Sequence, residues 1–214
     1  MIDKLAPETP AFDAGYADEQ LRRSRHPLRR LVKGFYLRSV LAHVNGPTID
    51  YGCGAGQLLA LLPPGSVGLE LNPHLVAAHR RAGLDVRQWQ ANDEGFDLPG
   101  LSPGQFKCLV ISHVLEHLPD PTAALQRLLR ACARLGVQRL IAVVPGAKGY
   151  ASDATHRTFI DARYVATQAW HQLGAYRLSA SRFFPLPWEG GGELYIYNEM
   201  QLVFDRVAAV VDPA

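Results

Sequence analysis

Apolar residues in this chain arrive in two alternating patterns. Short, nearly unbroken runs rich in branched side chains, of which F-K-C-L-V-I-S at 106–112 is the clearest, have the length and composition of strands buried on both faces. Between them, apolar positions recur every three or four residues, as at Leu125, Leu128, Leu129 and Cys132, the spacing of a helix with one face in a core. Taken in order, strands are expected at Thr48 and Ile49, ending at Asp50, then over 66–71, 86–90, 106–112 and 139–144, the last stopped by Pro145 and Gly146. Helices are expected over 58–62, 73–82 and 123–134, the third opened by Asp120 or Thr122 and closed by Gly136. A helix over 161–173 precedes two final strands, 176–184 and 193–206, joined through the proline- and glycine-rich stretch 185–192. Strands alternating with helices build a parallel sheet with right-handed crossovers, so the chain reads as an α/β, doubly wound fold.

Ahead of the first strand, residues up to about 17 mix prolines with small side chains and read as a loose arm. Asp18 is placed to cap a helix whose apolar positions, Leu21, Leu28, Leu31, Val32, Phe35, Leu37 and Leu41, mark one or two amphipathic segments broken near Pro27. The chain divides on this reading into residues 1–45, an arm and basic helical segment covering the site, and residues 46–214, a single globular unit.

Packing alone does not account for T-I-D-Y-G-C-G-A-G-Q at 48–57. Gly52, Gly54 and Gly56 fall at every second position at the carboxyl end of a strand, where open α/β sheets bind their ligands. A dinucleotide fingerprint is G-x-G-x-x-G and cradles a pyrophosphate; here the spacing is G-x-G-x-G, and Asp50 stands two residues ahead of the first glycine. An acid beside open backbone suits a cation. S-adenosylmethionine carries an ammonium and a sulfonium and no phosphate, so it fits better than a dinucleotide. Glu70, at the end of the second expected strand and some twenty residues on, is a carboxylate able to accept both hydroxyl hydrogens of a ribose.

The glycine stretch resembles motif I of the class I S-adenosylmethionine-dependent methyltransferases. The string H-V-L-E-H-L-P-D-P at 113–121 resembles the segment after the fourth strand in small-molecule members, in a bacterial branch that carries H-V-L-E-H. The resemblance covers roughly 48–204. It implies a Rossmann-like, seven-stranded sheet, mostly parallel with an antiparallel last strand and helices on both faces, and S-adenosylmethionine as cofactor with S-adenosylhomocysteine as product. It further implies cofactor contacts from Asp50, Gly52, Cys53, Gly54, Gly56, Glu70, Leu71, Ser112 and His113, an adenine contact from Asn92 or Asp93, and an N-terminal helical segment that brings Tyr36 and Arg38 towards the site. The third strand lacks the Gly-Asp pairing common in the family, which leaves the adenine contact open.

Methyl transfer from a sulfonium needs alignment, exclusion of water and, for some acceptors, removal of a proton. His117 and His156 are the candidate bases, the latter within a polar loop that also holds Asp153, Thr155 and Arg157. The reading is thus a methyltransferase acting on an O, N or C nucleophile of a small-molecule acceptor; a protein that binds the same cofactor without turnover is the alternative. H-x-x-E-H is also an inverted zinc-hydrolase motif, which would use His113, Glu116 and His117. Pro119 and Pro121 cut short the helix that motif needs, and no downstream motif supplies a third ligand, so no metal is expected.

Composition changes this picture little. A net charge of +2 is too mild to argue for nucleic acid, which is not expected as a partner, and the basic residues of the N-terminal segment, Arg22, Arg23, Arg25, Arg29, Arg30, Lys33 and Arg38, read better as a solvated helix face than as a contact for an anionic substrate, a phospholipid head group or RNA. Cys53, Cys108 and Cys132 are widely spaced and read as reduced thiols. With an acidic, proline-containing start and no apolar run of spanning length, no membrane span and a cytoplasmic location are expected.

Overall fold

A computed structural model describes residues 13–25, 27–89 and 93–207, with residues 23–25, 27–32, 93 and 94 given by backbone alone. The expected loose arm up to residue 12, Asn92 and the side chains of Arg23, Arg25, Arg29 and Arg30 lie outside the described residues. The chain opens with α1 (Ala14–Arg25) and α2 (Pro27–Leu41), divided at Pro27 as its fixed φ and missing amide require. The first cap is Asp13 rather than Asp18: its carboxylate accepts from the Tyr16 amide at 2.6 Å, and Ala17, expected in the arm, is buried in the helix.

Five strands follow, β1 (Thr48–Tyr51), β2 (Val67–Glu70), β3 (Val86–Gln88), β4 (Cys108–Ser112) and β5 (Arg139–Pro145), all parallel and ordered 3-2-1-4-5. α3 (Pro73–Arg81) connects β2 to β3, and α4 (Pro121–Leu135) connects β4 to β5. Asp120 caps α4 through the Ala123 amide, and Gly136 ends it in the left-handed conformation. The helix expected over 58–62 is only a single 3-10 turn, Leu59–Leu61, because Pro63 and Pro64 forbid a second turn.

Beyond β5 the chain makes α5 (Ala147–Ala151), α6 (Ala162–Thr167), β6 (Gln172–Leu173), β7 (Tyr176–Phe184), α7 (Gly191–Leu194) and β8 (Glu199–Arg206). β8 runs antiparallel between β5 and β7, which completes the order 3-2-1-4-5-8-7-6. Three expectations are corrected here. The helix over 161–173 stops at Thr167, Ala169 takes a positive φ of 52°, and the last two residues become β6, so the sheet has eight strands rather than seven among the described residues. The last strand starts at Glu199 and not at 193, since Glu193 and Leu194 belong to α7.

The sheet has a core on each face. On one, Leu37 and Val40 of α2 pack with Leu58 on Cys108, Val110, Ile141 and Val143. On the other, Leu125, Leu128, Leu129 and Cys132 of α4, the face its spacing predicts, join the larger cluster with Ile49, Leu109, Leu140 and Trp170. The three cysteines are free and buried, and among the described residues no helix is long and apolar enough to cross a membrane. Trp170 is fully buried, donates its indole N–H to Thr122 Oγ1 at 2.9 Å and meets Tyr164 edge-on. Replacing it by alanine is expected to cost about 3–5 kcal/mol, read as a shift of the urea unfolding midpoint; a loss below about 1 kcal/mol would show that this end of the sheet is dispensable to the fold.

Candidate functional site

The carboxyl ends of β1, β2 and β4 and the amino end of β8 lie at the same edge of the sheet, the edge where open α/β sheets carry their ligand cleft. Asp50, next to last in β1, is buried, and its Oδ2 has no hydrogen-bond partner. Burial raises its carboxyl to about 7, opposed by the positive charge of Lys33 and supported by the negative charge of Glu70. Glu70 closes β2 and is buried with both oxygens engaged: Oε2 accepts from the Gly54 amide at 2.8 Å and Oε1 from the Asn72 amide at 2.9 Å. Each oxygen retains a further lone pair. Asn72 in turn caps α3 through the His74 and Leu75 amides.

The three glycines of the turn all have positive φ, at 74°, 49° and 70° for Gly52, Gly54 and Gly56. Their surroundings differ. A Cβ on Gly52 would sit 2.7 Å from Val114 Cγ2, and one on Gly56 would sit 2.7 Å from His79 Cε1, so packing explains those two. At Gly54 the nearest atom to such a Cβ is 4.0 Å away, which makes Gly54 the glycine that keeps backbone open towards the cleft. The sequence reading, which set all three beyond the reach of packing, is corrected on this point. His79, which that reading missed, fixes the turn from below: buried on α3, its Nε2 donates to the Gly54 carbonyl at 2.7 Å. A polar residue on the inward face of α3, in line with the apolar Leu75 and Val76, was its only signal. Cys53 is buried beneath the turn against Gly68, and Leu71 lies just past Glu70. Asp93 begins a short 3-10 turn, Asp93–Asp97.

At the end of β4, Ser112 Oγ meets the phenol of Tyr36 at 2.5 Å, so α2 reaches the end of that strand. Arg38, also expected towards the site, is exposed. His113 takes a positive φ of 56° and stands between two carboxylates, with Nδ1 3.2 Å from Glu116 Oε1 and Nε2 2.9 Å from Glu199 Oε1. Burial lowers its pKa, but the two carboxylates outweigh that and hold the imidazole protonated. Nothing in the sequence marked Glu199, which lies 86 residues away and arrives through the antiparallel insertion of β8.

The two candidate bases come together, their ring centroids 4.6 Å apart in an edge-on arrangement. His117 Nδ1 lies 3.0 Å from Thr155 Oγ1, which donates its own hydrogen to Asp153 Oδ1 at 2.7 Å; His156 Nδ1 donates to the Tyr150 carbonyl at 2.7 Å. Burial lowers the pKa of His117. The loop carrying His156 is tied to the post-β4 segment by the Arg157 and Thr158 amides, which donate to the Glu116 carbonyl at 2.8 and 3.1 Å.

A cofactor with a cationic amino-acid end and an adenosine fits what is present: a buried carboxylate with one unpartnered oxygen, a second carboxylate with lone pairs to spare and one open glycine. Two solved structures share the fold. A methyltransferase from Archaeoglobus fulgidus described as SAM-dependent aligns with a TM-score of 0.63 at 19% identity, covering 91% of this chain and all of that one. The magnesium protoporphyrin IX methyltransferase of Synechocystis PCC 6803, solved with bound SAH, aligns with a TM-score of 0.63 at 14% identity, covering 92% of this chain and 96% of that one. Among curated proteins, the ubiquinone biosynthesis O-methyltransferase of Xanthomonas oryzae pv. oryzae is 34% identical over 116 residues, 51% of this chain and 47% of that protein. The match thus spans about half the length of such relatives. A family model described as "Methyltransferase domain" matches residues 21–174, from α1 through β6, and the chain belongs to that family.

Proposed function

We propose that this chain is an S-adenosylmethionine-dependent methyltransferase acting on a hydroxyl oxygen of a small-molecule acceptor. The observation that carries the reading is the orphaned, buried Oδ2 of Asp50 beside Glu70 and the open backbone of Gly54. Asp50 faces the cationic end of the cofactor and Glu70 its ribose hydroxyls. The cofactor would supply an electrophilic methyl: an O–CH3 bond would form, the electron pair of the broken C–S bond would stay on sulfur, and the hydroxyl proton would leave to a histidine or to water. The chain's own task is to hold that methyl in line with the acceptor oxygen and keep water out. His117 and His156 stand at the acceptor end, with Tyr36 reaching over from α2. Oxygen is preferred over nitrogen or carbon as the nucleophile because the curated relatives are named O-methyltransferases.

Titration of the full chain with S-adenosylmethionine, S-adenosylhomocysteine and NAD tests the cofactor. Micromolar heats for the first two and none for NAD are expected, followed by methylated product with a hydroxylated aromatic acceptor; binding without turnover on any acceptor would favour the non-catalytic alternative. Gly54→Ala is expected to leave the fold intact apart from about 1–2 kcal/mol of left-handed strain and to weaken the cofactor. Gly56→Ala should lower the melting temperature further because it also collides with His79. Equal effects of the two on stability would remove the distinction.

The Asp50 carboxyl also predicts a pH dependence. With its pKa raised from 3.8 to about 7, the stability attached to it is present below 3.8 and is lost as pH rises through 7. A cationic ligand prefers the carboxylate, so affinity should rise about tenfold per pH unit up to about 7 and then level off, a slope that Asp50→Asn abolishes. A flat profile in the unaltered protein would place the cationic group elsewhere. Glu70→Ala should weaken binding by about 1–3 kcal/mol at every pH.

A further inference from the structure

The post-β4 segment and the loop after α5, which carry separate motifs in the sequence, meet around the Glu116 side chain. We propose that Glu116, His117 and His156 form a binding site for one divalent transition-metal ion, open on its remaining positions to a hydroxyl of the acceptor. One carboxylate oxygen and one ring nitrogen from each histidine lie within 4.8 Å of one another. Glu116 is 0% exposed, and its Oε2 has no hydrogen-bond partner. A buried carboxylate oxygen with no partner is costly, and a cation is the ligand that relieves it.

The distances favour an ion over a direct bond. His156 Nε2 stands 3.9 Å from Glu116 Oε1, the oxygen that also faces His113 Nδ1 and not the unpartnered Oε2, and that is too far for a hydrogen bond. Two metal bonds of about 2.0–2.2 Å each span that gap.

The outer partners point the same way. A carbonyl only accepts, so His156 Nδ1 carries the hydrogen it gives to Tyr150, and Nε2 is left as the nitrogen for a cation. Thr155 spends its hydroxyl hydrogen on Asp153, so its oxygen accepts from His117 Nδ1, and again Nε2 is left. A carbonyl on one imidazole and a hydroxyl–carboxylate pair on the other are the supports that fix the tautomer and direction of metal-binding histidines.

This is not the zinc-hydrolase set. His113 is no ligand, because both of its nitrogens face carboxylates, and residues 115–117 form one 3-10 turn rather than a helix. The third ligand comes from His156, which the sequence reading did not connect to this motif. Two histidines and one carboxylate leave coordination positions free, as reactive sites do and structural sites do not. The trio also lies beside the cofactor turn: Val114, two residues before Glu116, is the side chain that packs on Gly52. An ion here draws in an acceptor hydroxyl and lowers its pKa, the proton passing to water, so that the histidines need not act as bases. That role rests on the methyl-transfer reading; the binding of the ion does not.

The test is calorimetric titration of chelator-treated, full-length protein with Mn²⁺, Co²⁺ and Zn²⁺, without cofactor or acceptor. One equivalent binding at micromolar Kd is expected for at least one of them. His156→Gln and His117→Gln should each weaken it by on the order of a hundredfold, and Asp153→Asn, which touches no metal, by about tenfold. Glu116→Gln should also weaken it, and a circular dichroism melt separates that from misfolding; the less buried His117 keeps the test valid if the glutamine variant does not fold. The proposal is overturned if none of the three ions binds below millimolar concentration, or if binding survives unchanged in both histidine variants. Because S-adenosylmethionine is titrated separately, a failure of the cofactor reading and a failure of the metal site give different results.

Discussion

One carboxylate joined to two backbone amides holds the site in shape. Glu70 ends β2 and grips Gly54 through one oxygen and Asn72 through the other, so the glycine turn and the start of α3 are fixed to the same side chain. α3 returns the hold: His79, seven residues past Asn72, donates to the Gly54 carbonyl. The turn carries little side-chain bulk of its own, and left-handed glycine backbone is costly in entropy to order. Clamping it by its amide from one side and its carbonyl from the other supplies the rigidity the glycines lack.

The same edge of the sheet carries an electrostatic load that the protein alone does not discharge. Asp50, Glu116 and Glu199 are buried around one cleft, and each has a carboxylate oxygen with no partner. Only part of this charge is met from within: His113 sits between Glu116 and Glu199, and Lys33 acts on Asp50. Charges taken out of water at such cost persist where a ligand completes them. The proposed cationic cofactor at Asp50 and the proposed metal ion at Glu116 would divide that load between the two sides of the site, one at β1 and β2 and one beyond β4.

The elements were legible where local physics decided them. α4 announced itself by the spacing of Leu125, Leu128, Leu129 and Cys132, with Asp120 and Gly136 at its ends, and β4 and β5 by their nearly unbroken apolar runs. Expectations failed where a neighbour overruled the pattern. Leu58 to Leu62 is helical in composition but has two prolines behind it, and the stretch after Thr167 has helical residues but finds an edge strand to pair with. On the site side, the candidates Asp50, Glu70 and the glycine turn as a whole stand out in the sequence because each falls at or just past the end of an expected strand. His79, Glu199 and the union of Glu116 with His156 do not, since each depends on a contact between segments whose separation along the chain carries no periodic signal.

The sequence by itself determined the kind of sheet, the place of its candidate ligand-binding edge and the chemical character of that edge, because hydrophobic period, glycine backbone freedom and carboxylate charge are properties of residues and their near neighbours. Only the tertiary structure decided which glycine faces the cleft, which acids are stranded without partners and which histidines stand together. Those outcomes follow from crossovers that bring β8 beside β5 and fold the loop after α5 onto Glu116, and long-range packing of that kind is fixed by the whole core at once.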